Sequence, residues 1–225
     1  MNKLTWLMLT GILIISACKE NSNEYKAITN DPTQFSNVVY ELNTVVMGNN
    51  FSPIVASRNY MYASVAAYEV IAGGYPERFN SLAGQLNGLE NVPKPDTSKF
   101  INYEFASLLA FCKLGEAVTF PAGSMTEYTD SLKKMVLAKG MSDEELENTV
   151  AYADTVSAVI MEWSKGDNYA STRSAPKFTI NDVPGRWYPL PLPIPLLWSR
   201  TGIKSGLWYW TVPTNLFRRR RRHSI

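Results

Sequence analysis

The stretch SPIVASRNYMYASVAAYEVIAGG, residues 52–74, decides the fold. Ser52 precedes Pro53 as an N-cap precedes the first helical position, and Gly73-Gly74 followed by Pro76 supplies the stop. Between them the pattern is apolar on most of the helical circumference, and Ala56, Ala63, Ala66 and Ala67 allow neighbouring helices to approach closely. A buried helix at the centre of an all-α domain is expected. Arg58 and Glu69 stand three helical turns apart and so project from nearly the same stripe.

Outward from that helix the same period continues. Asp31-Pro32 opens a segment through Met47 with Phe35, Val38, Val39, Leu42, Val45 and Val46 on one face, closed by Gly48-Asn49-Asn50. Asn80 to Pro95, rich in Gly, Asn and Pro, reads as loop. Ser98 is expected to cap a third long helix with Phe100, Tyr103, Phe105, Leu108, Leu109, Phe111, Cys112 and Val118 as its apolar face, closed by Pro121. Cys112 reads as core. Ser124-x-x-Glu127 and Ser142-x-x-Glu145 are capping-box patterns on either side of Gly140, and Glu144, Glu145 and Glu147 suit the positive end of a helix dipole. Ala153, Val156, Ile160 and Trp163 carry the last helix to Lys165-Gly166-Asp167. No run alternates with period two for long enough to build a sheet.

The chain is 225 residues long and 45% hydrophobic, enough for one core. Its formal charge of +2 conceals a split: residues 190–225 hold seven bases and no acid, whereas all 20 acids fall before them. One histidine, His223, and two cysteines exclude a disulfide framework and His-rich metal or triad chemistry within these residues. No phosphate-cradling loop, nucleophile elbow, metal-ligand cluster or nucleotide fingerprint is present. Catalytic, cofactor-binding and metal-binding residues are therefore all assigned as none.

Lys3 and the apolar run Leu4 to Ser16 are too short to span a bilayer and read as a signal peptide, residues 1–17. Ile15-Ser16-Ala17-Cys18 resembles a bacterial lipobox, which makes Cys18 the lipidation site; an ordinary secretory signal with a chance cysteine is the competing reading. Residues 18–30 are expected to be a tether, 31–168 a helical domain, 169–189 an extended loop and 190–225 an unstructured tail. The expected location is the bacterial cell envelope, lipid-anchored to the outer membrane and facing periplasm or surface. The membrane is the expected partner, nucleic acid is not, despite Arg218 to Arg222, and exposed apolar helix faces favour self-association.

Residues 51–69, from Phe51-Ser52-Pro53 through Tyr60-Met61-Tyr62 to Tyr68-Glu69, resemble the N-terminal helices of Bacteroidetes-type vanadium-dependent haloperoxidase-like lipoproteins, members of the type 2 phosphatidic acid phosphatase superfamily. Tyr169 to Thr179, with Pro184-Gly185-Arg186-Trp187-Tyr188-Pro189 behind it, is similar to a loop that leads toward that family's catalytic half. The resemblance covers roughly residues 30 to 189. It implies the N-terminal part of a helical bundle, with vanadate or phosphate as cofactor of the full-length protein. The family's oxyanion pocket is built from a Lys and an Arg-Pro pair, a Ser-Gly-His segment and a later Arg with the catalytic His. None of those motifs occurs here, so Arg58, Arg173 and Arg186 are not assigned their roles. A truncated, inactive fragment of such an enzyme is expected; the alternative is a small helical surface lipoprotein acting as a binding module.

The genetic code offers a test of the tail. When the third base of each codon is read with the first two of the next, Trp208 to Thr211 encode Val-Leu-Asp whatever synonymous codons are used. Trp198 to Ser205 can become Glu-Pro-Asn-Trp-Asn-Lys-Ile, and Arg218 to Arg222 a proline run, which is how the family continues. A frameshift is expected before this region.

Overall fold

The computed structural model describes residues 23–176 and Thr179; the expected signal peptide, Cys18 and the segments 180–189 and 190–225 lie outside the described residues. Among the described residues the chain is all helical. The helices are α1 (Glu24–Thr29), α2 (Pro32–Gly48), α3 (Pro53–Gly74), α4 (Tyr103–Ala117), α5 (Thr126–Ala138), α6 (Asp143–Lys165) and α7 (Tyr169–Ser174).

The three strongest sequence signals become α2, α3 and α6. Asp31 caps α2 by accepting from Thr33 N at 2.9 Å, and Ser142 caps α6 by accepting from Glu145 N at 3.1 Å. Ser52 takes the extended N-cap conformation before Pro53, without a side-chain capping bond.

The centre of the bundle is α4, not α3. Ten of the 15 residues of α4 are buried, against nine of 22 in α3, because α4 packs on α2, α3, α5 and α6 while α3 keeps one side open. Close approach explains the α3–α4 pairing: Ala63, Ala66 and Ala67 are buried, and Ser107 Oγ donates to Ala67 O at 3.0 Å. Phe105, Phe111, Leu42, Leu114, Met125 and Ile160 fill the remaining interior.

Four expectations need correction. Residues 24–29 lie in the expected tether but form α1, because Tyr25 and Thr29, four apart, bury one side of a single turn. The Tyr25 amide donates to Lys139 O at 3.2 Å and its hydroxyl to Glu145 at 2.8 Å. The third long helix starts at Tyr103 rather than after Ser98: Asp96 takes up the Ser98 amide and hydroxyl in a local turn, and Phe100 stands 78% exposed. Ser124 does not cap α5, which has no side-chain cap; Glu116 on α4 instead holds the turn into it, accepting from Met125 N at 3.0 Å and Thr126 Oγ1 at 3.1 Å. Residues 169–174, placed in the extended loop, form α7.

Asn102 is the residue that starts α4. Its Oδ1 accepts from Phe105 N at 2.8 Å and its Nδ2 donates to Thr29 at 3.2 Å, while its backbone amide donates to Thr149 at 3.0 Å, so one residue joins α1, α4 and α6. Asn102→Ala removes a cap and takes a donor from the buried Thr29 hydroxyl, which keeps only its bond to Lys26 O at 3.4 Å. We expect a loss of about 1–2 kcal/mol in denaturant unfolding, with an unchanged helical spectrum.

Candidate functional site

Charge enters the interior at two places, both on α3. Arg58 and Glu69 point inward from one stripe, as their spacing predicts, but they serve different partners. Glu69 accepts from Ser81 Oγ and from Leu82 N, each at 2.6 Å, and so fixes the start of the loop between α3 and α4.

Arg58 is the centre of the other cluster. Its Nε lies 2.6 Å from Asp167 Oδ2, and the two side chains are 8% and 7% exposed. The guanidinium is held between two aromatic rings, 4.9 Å from the Tyr62 centroid and 4.5 Å from that of Tyr169. Tyr62 OH also donates to Asp167, at 3.0 Å, and Trp163 meets the Tyr62 ring edge-on at 5.2 Å. Burial, then the Asp167 carboxylate, push the Tyr62 phenol up, so it stays a donor at neutral pH. Asp167 Oδ1 accepts from Tyr169 N at 2.8 Å, and Asn168 takes the left-handed conformation at φ 61° that the turn into α7 requires. The cluster clamps the end of α6 and the start of α7 onto α3.

The described residues also form a groove of about 240 Å³ between α4, α5 and α6. Lys113 and Lys133 line it, but so do Glu116, Asp130 and Asp154. Lys113 pairs with Asp154 at 2.5 Å and Lys133 with Asp130 at 3.4 Å.

Neither place fits a vanadate or phosphate oxyanion. Such a ligand needs several cations and donors converging on one point. The Arg58 guanidinium is already committed to a carboxylate and two rings, and the groove sets three carboxylates around two lysines. No group of three or more metal-ligating side chains is present among the described residues. Arg173, exposed on α7, lies 6.0 Å from the Tyr169 ring; Arg186 and His223 lie outside the described residues.

Cys112 is buried on α4, and burial pushes its thiol up to about 12. It is a core group and not a nucleophile. Tyr25 is likewise pushed up to about 12, by burial and then by its hydrogen bond to Glu145. Both are neutral in the fold and ionise more readily unfolded, so their contribution is complete below their ordinary values of 9.0 and 10.0 and is lost as pH rises toward 12. Native Cys18→Ala chain is expected to resist a maleimide at pH 8, react on denaturation, and lose stability across this alkaline window in a pH titration of unfolding.

No family model matches the chain, and no curated protein matches it. Among solved structures it is similar to one described as the first bacterial vanadium-dependent iodoperoxidase, with a TM-score of 0.66 and 39% identity over 75% of this chain. The fold is vanadium-haloperoxidase-like. The match covers 42% of the iodoperoxidase chain, so this chain spans less than half the length of that structure. Within the vanadium-haloperoxidase-like helices, the helical period places Arg58 on one stripe with Glu69 but gives it no role and no partner: in the sequence Asp167 reads only as part of a helix stop. The signal for it was weak, one acid after a helix-stopping glycine.

Proposed function

We propose that this chain is the N-terminal helical part of a lipoprotein of the vanadium haloperoxidase and acid phosphatase superfamily. The observation that carries the reading is the iodoperoxidase likeness: 39% identity over three quarters of this chain, matched to well under half of the other. In this reading the described helices form a scaffold. The Arg58–Asp167 clamp sets the direction in which the chain leaves the bundle, and the oxyanion pocket belongs to sequence corresponding to the rest of the iodoperoxidase. The forced Val-Leu-Asp reading of Trp208 to Thr211 supports a frameshift within residues 190–225. Cys18 carries the lipid and holds the protein at the bacterial cell envelope.

The 225 residues then catalyse neither halide oxidation nor phosphate-ester hydrolysis. Losing one oxyanion donor typically costs about 100- to 1000-fold in rate, and here the whole constellation is missing. Purified protein is expected to show no turnover of halide with peroxide and vanadate, and none of a phosphate monoester. Turnover that survives His223→Ala would reveal a site elsewhere. Labelled fatty acid should enter the chain and fail to enter Cys18→Ala. Resequencing the locus decides the superfamily reading: a downstream frame with Ser-Gly-His and Arg…His motifs supports it, and a verified stop without such a remnant favours the binding-module alternative.

A further inference from the structure

Between Cys18 and the bundle there is little slack. The helix α1 is fastened down: Tyr25 is buried, its amide and hydroxyl bond Lys139 O and Glu145, and the Lys139 ammonium pairs with Glu24 at 2.9 Å. Only five peptide steps separate Cys18 from Asn23, where the described residues begin. Whatever path they take, a chain reaches at most about 3.6 Å per residue, so Asn23 lies within about 18 Å of Cys18.

The partners of α1 define one end of the bundle. Lys139 closes α5, Glu145 stands in the first turn of α6, and Asn102, the cap of α4, bonds Thr29. From there α6 runs 23 residues, about 34 Å at 1.5 Å per residue, to the Arg58–Asp167 clamp and α7 at the other end. Phe100 belongs to the α1 end, two residues before Asn102. It is 78% exposed, more than any other large apolar side chain among the described residues, and Lys99 beside it is exposed as well. An aromatic ring next to a lysine suits the boundary between water and lipid, where the ring enters the edge of the acyl layer and the ammonium stays among the headgroups. Glu24, Asp143 and Glu144 are exposed at the same end, so attraction to anionic lipid is not what would turn it toward a membrane. The short tether is.

We infer that the α1 end of the bundle rests on the bilayer, with Phe100 in the interfacial layer, and that the clamp and α7 are held away from it. The inference rests on the lipidation of Cys18 proposed above and not on the haloperoxidase reading. A ruler for it is built into α6. Glu144 and Glu162 are both exposed and 18 residues apart, five whole turns, so they project from the same stripe about 27 Å from one another.

With Cys18 acylated and Cys112 buried, a thiol placed at either position takes a maleimide dye selectively. The full lipidated chain is reconstituted in phosphatidylcholine vesicles that carry an acceptor dye on the headgroup. Over the 27 Å offset, energy transfer from Glu144→Cys is expected to exceed that from Glu162→Cys at least about twofold. Both variants should keep the helical spectrum, and the ratio should be the same when phosphatidylglycerol is added. A dye at Phe100→Cys should be quenched by a nitroxide carried on the acyl chain near the headgroup, and one at Glu162→Cys should not. Equal transfer, as from a bundle lying on its side, reversed transfer, an unquenched dye at position 100, or a ratio that appears only with phosphatidylglycerol would each overturn the inference. Labelled fatty acid separates the two possible failures. If it enters at Cys18 and transfer is equal, the orientation alone is wrong; if it does not enter, the lipoprotein reading falls and the orientation with it.

Discussion

Arg58→Ala is expected to lower the unfolding free energy by about 3–5 kcal/mol, because it leaves the Asp167 carboxylate buried and unpaired. For a chain of this size that is a fall of roughly 10 °C in unfolding midpoint. The cost arises less from the lost attraction than from the stranded charge. Two tyrosine rings that flanked the guanidinium also lose a packing partner, which adds to the same loss. Asp167→Ala should be comparable, with one difference: it also frees the Tyr169 amide and removes the acceptor of Tyr62 OH.

The double variant Arg58→Met/Asp167→Leu separates these contributions. Replacing both members of a buried ion pair with apolar groups removes the desolvation penalty along with the attraction, so the pair should cost clearly less than the sum of the single changes. An additive result would show that the two charges do not interact. Limited proteolysis gives a local readout. If the cluster clamps α7, cleavage between Ser164 and Ser174 should accelerate in both single variants before global unfolding does.

This clamp marks the boundary of what the sequence discloses. That Arg58 faces inward follows from helical period, since it lies on the stripe that also holds Glu69 and is flanked by residues facing the core. That Asp167 receives it does not, because the two are 109 residues apart and only the packing of α6 against α3 brings them together. The same distinction explains the caps. Asp31 and Ser142 are legible because each bonds an amide two or three residues on, whereas the turn into α5 is held by Glu116 from the preceding helix, and Ser124, the local candidate, has a buried hydroxyl without a partner. The start of α4 was misplaced because Asp96 and Ser98 satisfy one another, leaving Asn102 to cap. As for the candidate site, the Lys and Arg-Pro pair, the Ser-Gly-His segment and the later Arg with His that the vanadium-haloperoxidase resemblance implies do not occur as motifs in these 225 residues.

Gly73→Ala gives the other large effect, and its sign can be reversed. A Cβ built on Gly73 would lie 2.1 Å from the Tyr152 hydroxyl, and its next nearest neighbours are at ordinary contact distance, 3.5 Å. That hydroxyl is buried and has no hydrogen-bond partner, and the Tyr152 ring is wedged edge-on against Tyr103 at 6.0 Å. With the ring held, the added methyl forces a shift costing about 1–3 kcal/mol or more, the usual range for overpacking. Tyr152→Phe alone should be neutral or slightly stabilising, because it removes a buried polar group that makes no bond. In Gly73→Ala/Tyr152→Phe the clash disappears, and what is left is the preference of alanine over glycine, below the ~1 kcal/mol of a helix interior because Gly73 is the penultimate residue of α3. The double variant should therefore be at least as stable as the unaltered chain, although one of its components is strongly destabilising. Denaturant unfolding of the four chains measures the cycle. If Tyr152→Phe fails to rescue Gly73→Ala, then the hydroxyl is not what excludes a side chain at position 73, and the packing of α3 against α6 is tighter than these contacts indicate.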